Sequence, residues 1–451
     1  MRTQDQVEEM EHASLAPRWN LLTRIAFRFC FVYFGLFVLY FCPIWLQYLL
    51  FLNRHSPLAL GGVWPMRQIV FWAGAHIFHM TAPPDPGVGY DGSFYWVQTF
   101  CSLVISVFAT GIWSFTDRRR ANYVTLHRWF RLVIRFVLAA LMFAYGVFKV
   151  IPAQMPYPNL FELVRPFGHF LQMQVLWSYM GVAPAYEIFA GCAEVLGGIL
   201  LLVPLTATLG ALICLADLTN VFVIDMSYNV ANKLEVFNFI LLAGFLLAPE
   251  LPRLANVFLL NRAAAPSPQP QLFRTRRANR VAMAVQVVVA VYLVGASVYD
   301  AWKNEWLVRG SITSKPALYG IWDVDQFSVD GQARPPLLTD HDRFRRVIFD
   351  SGIIWELNLD ANGGAVAFQL PDDSLAYYRA SIDVRDKTLT LTDPDPDTGR
   401  KEWNARFTFE RPSPDQLVLD GDMNKHKLHM QLHLFDRNKF ELVSSGFHWV
   451  Q

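Results

Sequence analysis

Charge is what this sequence has least of. Asp, Glu, Lys and Arg make up 17% of its 451 residues, and they balance to a net charge of +1. Without a basic field there is nothing to draw a polyanion, which excludes DNA or RNA as a partner. Cysteine is equally sparse. Cys30, Cys42, Cys101, Cys192 and Cys214 all fall in apolar stretches, none follows residue 214, and no CxxC pair occurs. That pattern excludes a disulfide framework, a zinc ribbon and a thioredoxin-like motif. The first twenty residues, ending in Arg18-Trp19-Asn20, are polar and lack the n-region and h-region of a cleaved signal. The first apolar segment is therefore expected to stay in the membrane.

What is abundant is apolar surface: 53% hydrophobic and 15% aromatic residues, a membrane protein's composition. A hydrocarbon layer of about 30 Å needs roughly 20 apolar helical residues to cross it. That criterion selects seven segments, near residues 25–48, 94–115, 130–151, 185–203, 205–224, 233–249 and 281–299. Residues 64–80 carry Arg67, His76 and His79 and are too short to cross, so they read as a helix lying on the surface. Basic residues cluster before the first segment (Arg18, Arg24), between the second and third (Arg118–Arg120, Arg128, Arg131) and between the sixth and seventh (Arg253 to Arg280). All three clusters fall on one side of a seven-span chain. The positive-inside rule makes that side cytoplasmic and sends everything beyond residue 300 outside a bacterial-type inner membrane.

The expected domains are residues 1–124 (cytoplasmic N-terminus, two helices and a surface segment), 125–262 (a four-helix membrane core), 263–300 (basic linker and seventh helix) and 301–451 (an extracytoplasmic β domain). In the last of these, short alternating runs separated by turn signals predict about ten strands in an antiparallel barrel or sandwich. The runs are 318–329, 345–349, 353–359, 365–370, 375–384, 388–392, 403–410, 416–419, 427–435 and 440–450. The opening Gly320-Ile321-Trp322 resembles a lipocalin-type start.

Ionisable groups inside the central helices are the strongest functional signal, because a charge at a helix centre costs roughly 2.5 to 3.5 kcal/mol on insertion scales. Lys149 falls near the outer end of the third helix and Glu187 near the outer end of the fourth, with Glu194 seven residues deeper on the same face. Asp217 and Asn220 share a face of the fifth helix, Asp225 ends it, and Lys233 and Glu235 open the sixth. These positions predict a polar ligand pocket in the outer half of the membrane, roofed by residues 152–184 with Arg165 and His169. The competing reading treats the same groups as glue between helices.

Arg135, Gly146-Val147-Phe148-Lys149 and Gly191-Cys192-Ala193-Glu194-Val195-Leu196-Gly197-Gly198 resemble the R…GxxK and ExxGG signatures of DoxX-like four-helix membrane proteins, over roughly residues 125–250. The resemblance implies a DoxX-like fold for that core and marks Arg135, Lys149 and Glu194 as family positions. Members include a subunit of a thiosulfate:quinone oxidoreductase and partners of redox-stress proteins. A more distant similarity is to the membrane region of vitamin K-dependent carboxylases, where a lysine is a base and a lumenal β domain follows.

Other chemistry fails on geometry. With no histidine in the expected spans, a bis-His haem has no ligands. His426, His429 and His433 alternate with Leu428, Met430, Leu432 and Leu434, a strand pattern. On a strand His429 and His433 stand about 13 Å apart, so one zinc cannot take all three. The Asp393, Asp395, Asp397, Gly399 run reads as a hairpin turn, since its glycine is one place late for a calcium loop and position twelve is Asn404. Cys192 and Cys214 read as small hydrophobes. The leading expectation is a membrane redox enzyme subunit or accessory that binds a quinone or another lipophilic molecule. A scaffold whose β domain recruits a partner protein comes second, and a small-molecule transporter third.

Overall fold

A computed structural model describes residues 18–41, 64–85, 89–266, 272–273, 275–303, 315–337, 339–340, 342–350, 364–392 and 404–445. The chain divides into two compact units, residues 1–151 with 188–301 and residues 152–187 with 302–451. Residues 152–187 thus group with the β domain rather than with the helices they connect.

Among the described residues, seven helices are long and apolar enough to cross a membrane: α1 Leu21–Phe41, α2 Ser93–Thr116, α3 Val124–Val150, α4 Pro184–Leu202, α5 Ala207–Ser227, α6 Lys233–Phe258 and α7 Arg276–Lys303. The hydropathy reading located all seven. Helix α3 starts earlier than the sequence implied, at Val124, so His127 lies within it and makes edge contacts with Trp19, Phe27 and Phe245. It is the most buried of the seven, which makes it the helix around which the others assemble. The segment expected at the surface contains a helix of 11 residues, Met66–His76. At 1.5 Å per residue it is about 16 Å long, too short to cross the hydrocarbon layer.

Several polar groups of this unit are paired off early in the chain. Asn20 caps α1 by accepting from the Thr23 amide at 2.7 Å. Arg28 is 1% exposed; it donates to the Tyr123 hydroxyl at 3.0 Å, to Ser114 Oγ at 2.8 Å and to the Asp117 carbonyl at 2.9 Å. Tyr123 in turn donates to Asp117 Oδ2 at 2.8 Å. A buried arginine with its donors occupied avoids the cost of an unpaired charge.

The second unit is a closed antiparallel barrel. Strands β1 Gly320–Val329, β3 Arg346–Asp350, β4 Gly364–Gln369, β5 Leu375–Asp383, β6 Thr388–Thr392, β7 Asn404–Ser413, β8 Gln416–Met423 and β9 His426–Leu434 follow one another, and β9 pairs back with β1. The two-residue β2, Gln332–Ala333, folds back on the end of β1 through Asp330-Gly331, both at positive φ (51° and 80°), as a tight hairpin requires. Asn424-Lys425 make the equivalent turn between β8 and β9, at φ 54° and 70°. The interior is filled with side chains, including Trp322, Phe349, Phe368 and Phe407, each fully buried.

Two expected strands need comment. The run at 353–359 lies outside the described residues. The run at 440–450 is not a strand where it is described: a turn at Arg437–Lys439 and a short helix at Glu441–Ser444 take its place. The β1–β9 pairing leaves no free edge for a tenth strand, and Asp436 caps the turn by accepting from the Asn438 amide at 3.0 Å.

The connection between α3 and α4 covers one outer face of the barrel. Its helix Leu160–Val164 opens with a capping box formed by Asn159 and Glu162, and Asp350 accepts from the Leu160 amide at 2.7 Å. Leu160, Phe161 and Val164 pack on Ile321, Ile348, Ala365 and Ala367. Strands β3 and β4 are therefore buried on both faces, which explains why Val347-Ile348-Phe349 and Ala365 to Phe368 read as continuous apolar runs instead of alternating.

Candidate functional site

Lys149 and Glu194 meet inside the helical unit. Lys149 Nζ donates to Glu194 Oε1, and the two residues are 7% and 3% exposed. Glycine makes the encounter feasible. A Cβ on Gly146 would lie 2.9 Å from Glu194 Cβ and 3.0 Å from the Gly191 carbonyl oxygen; one on Gly191 would lie 2.6 Å from the Gly146 carbonyl and 2.7 Å from Lys149 Cβ. Helices α3 and α4 touch backbone to backbone at this point, a close approach typical of small residues between membrane helices. Gly198 extends the contact, since a Cβ there would meet the Phe143 ring at 3.0 Å. The GxxK and ExxGG patterns thus have a physical reading: the glycines bring the helices together, and the two charges face each other across the seam.

Around this pair stand further acids. Asp217 on α5 is in electrostatic range of both Glu194 and Lys149. Asp225, at the end of α5 and 6% exposed, feels Lys149, Lys233, Asp91 and Glu194. Two oxygens in the cluster, Glu194 Oε2 and Asp217 Oδ2, are buried and accept no hydrogen bond. Asn220 is exposed.

Several of the expected pocket residues are engaged elsewhere. Lys233 pairs with Asp91 at 2.9 Å and donates to the Val230 carbonyl at 2.7 Å. Asp91 also accepts from the Leu234 amide at 2.9 Å, so it caps α6 as well as neutralising Lys233. Glu235, fully buried, accepts from the Tyr145 hydroxyl at 2.6 Å. Glu187 accepts from the Met155 amide at 3.0 Å within the connecting segment. Arg165 reaches Gln174 at 3.0 Å and the Tyr377 hydroxyl of β5 at 2.7 Å, which ties that segment to the barrel, and His169 is exposed. Arg135 stands 14 residues before Lys149 on α3, about 21 Å along the axis. It donates to Gln286 of α7 at 2.7 Å and belongs to a different neighbourhood.

The barrel histidines each face an aspartate. His429 lies 2.5 Å from Asp420, His433 2.9 Å from Asp325, and His426 2.7 Å from Asp330. The His429 and His433 side chains point outward and His426 is exposed at the hairpin end of β9, while Leu428, Met430 and Leu432 fill the core. The His426 hydrogen bond, with one from the Lys427 amide, holds the exposed Asp330 carboxyl below its usual range. Among the described residues, no group of three His, Cys, Asp or Glu side chains is arranged to hold a metal ion. Cys30, Cys101, Cys192 and Cys214 carry free thiols, and the 393–403 turn lies outside the described residues.

Asp91 and Tyr145 were missed by sequence reasoning. Asp91 sits in a loop with no periodicity to flag it, and Tyr145 looks like one more aromatic on an apolar helix.

No family model matches the chain, and no solved structure matches it. It is similar to an uncharacterized protein, YwoB, of Bacillus subtilis (strain 168), with 32% identity over 96 residues. The match covers 21% of this chain and spans 60% of that relative's length.

Proposed function

We propose that the helical unit is a DoxX-like membrane core that holds a quinol or similar hydroxyl-bearing lipophile at Lys149, Glu194 and Asp217, as a subunit or accessory of membrane redox chemistry. One observation carries the reading: two buried carboxylate oxygens, Glu194 Oε2 and Asp217 Oδ2, lack a donor beside a lysine whose charge is already engaged. A buried acceptor left unsatisfied costs about 1 to 3 kcal/mol. A quinol offers two hydroxyl donors on a flat apolar ring, and its tail partitions into the bilayer the helices imply. The basic clusters support a site in the outer half of an inner membrane, with the barrel outside the cytoplasm. Residues carried from the resemblance, Arg135, Lys149 and Glu194, are consistent with a core of this kind, although Arg135 serves another part of it.

The test is a titration of a short-chain quinol against the full-length protein, Glu194→Gln and Asp217→Asn in detergent. Saturable binding by the parent, weakened in both variants, is the expected result. Non-saturable partitioning that is the same in all three proteins contradicts it.

A second reading has its own support. Among the described residues the barrel interior is filled by large side chains such as Trp322, Phe349, Phe368 and Phe407, as in small eight-stranded barrels, which turns attention to the outer surface for recognition. That favours a scaffold whose β domain recruits a protein partner. Deleting the barrel would then abolish partner capture while leaving quinol binding intact.

A further inference from the structure

A second polar site lies at the other end of α3, toward Val124. A cavity of ≈ 270 Å³ opens among α3, α6, α7 and the turn between α4 and α5, with Arg131, Arg135 and Gln286 among its polar lining and Leu132, Leu246 and Met283 among its apolar lining. Arg131 and Arg135 are four residues apart and so share one helix face, where like charges repel. Their existing contacts offset that repulsion only in part. Arg131 donates to the Leu246 carbonyl at 2.9 Å and stands 3.9 Å from Glu250, the acidic residue lining the cavity, which is itself bound to Arg253. Arg135 gives one N–H to the neutral Gln286 amide, and its Nε is buried with no acceptor. Each guanidinium has five N–H donors in a fork suited to phosphate oxygens.

We infer that this cavity binds a phosphate-bearing anion through Arg131 and Arg135. Two sources share that chemistry, an anionic phospholipid headgroup and free phosphate. The apolar wall favours the lipid, because Leu132 and Met283 extend the cationic end toward an acyl chain and Met283 is 44% exposed on the poorly buried face of α7. The same basic clusters that orient the chain put this end at the cytoplasmic leaflet, where basic clefts between helices meet anionic headgroups.

The experiment uses full-length protein, purified in nonionic detergent, stripped of lipid and offered equal phosphatidylglycerol and phosphatidylcholine, with bound lipid counted by native mass spectrometry. The expected result is one retained phosphatidylglycerol at about tenfold preference, falling to parity when Arg131 and Arg135 are both changed to Gln. Met283→Trp fills the cavity from its exposed rim without touching a charge, and it should lose the lipid too. Displacement of phosphatidylglycerol by millimolar inorganic phosphate supports the phosphate site and identifies the soluble anion as a ligand. Equal retention of the two lipids by the parent overturns the inference, and so does undiminished phosphatidylglycerol in Met283→Trp, even if the arginine variants fail to fold.

Discussion

The two units of this chain treat the same chemical object, a basic side chain beside a carboxylate, in opposite ways. In the helical unit Lys149 and Glu194 are buried together, and the helices are shaped to bring them there: Gly146 and Gly191 leave no room for a Cβ. In the barrel the His–Asp pairs sit on outward faces, with side chains 38% to 60% exposed, and the glycines serve turns and strand contacts. Burial decides what each pair is worth. An exposed pair is screened and contributes little, whereas removing one partner of a buried pair leaves a charge that nothing solvates. The helical unit therefore concentrates its energetic risk at one seam, and the barrel spreads its stability over an apolar interior.

The comparison can be broken at three levels. Short of breaking the pair itself, the largest effect is expected from Gly191→Val, which puts branched carbon where the Gly146 carbonyl and Lys149 Cβ already stand within 2.7 Å. Overpacking a rigid backbone contact costs about 1 to 3 kcal/mol, and thermal unfolding in detergent should show the helical unit destabilised while barrel circular dichroism is retained. A smaller effect belongs to Asp350→Ala. It removes the acceptor for the buried Leu160 amide, and loss of such a hydrogen bond typically costs about 1 kcal/mol; limited proteolysis should open the 152–187 segment first. Least of all is Asp330→Asn. The folded state holds this carboxyl below its usual range through His426, so its contribution is present above the ordinary aspartate pKa and lost as pH falls through the folded one. The variant should lose that small contribution at neutral pH and converge with the parent in acid, which flattens the acid limb of the barrel's stability profile. A large loss at neutral pH would contradict the contrast drawn here.

Much of the architecture was legible in the sequence because it rests on period and composition. The seven long helices stand out as apolar runs, and eight of the expected strands follow from alternation between turn residues. The failures have physical causes. At 440–445 the apolar pattern of a strand is present, but barrel closure leaves it no edge to join. The pairing of residues 152–187 with the barrel depends on a tertiary contact whose trace in the sequence is the unbroken apolar run at Val347-Ile348-Phe349. For the site, Lys149, Glu194 and Asp217 were found because charge inside an apolar helix is conspicuous. Glu187 and Arg165 were grouped with them on helical phase and loop position, and Arg135 on the family resemblance, none of which reveals that a backbone amide, a barrel tyrosine or a glutamine of α7 has claimed them.

The account rests on Lys149 and Glu194 acting as one unit, and a double-mutant cycle tests that most directly. Lys149→Met and Glu194→Gln, made singly and together in the full-length protein, are compared by unfolding in detergent. Breaking a buried pair by removing one partner costs about 3 to 5 kcal/mol, so each single change should destabilise strongly and the double change should recover much of the loss. Additive losses would show that the two residues do not interact and would remove the seam on which the proposed site is built.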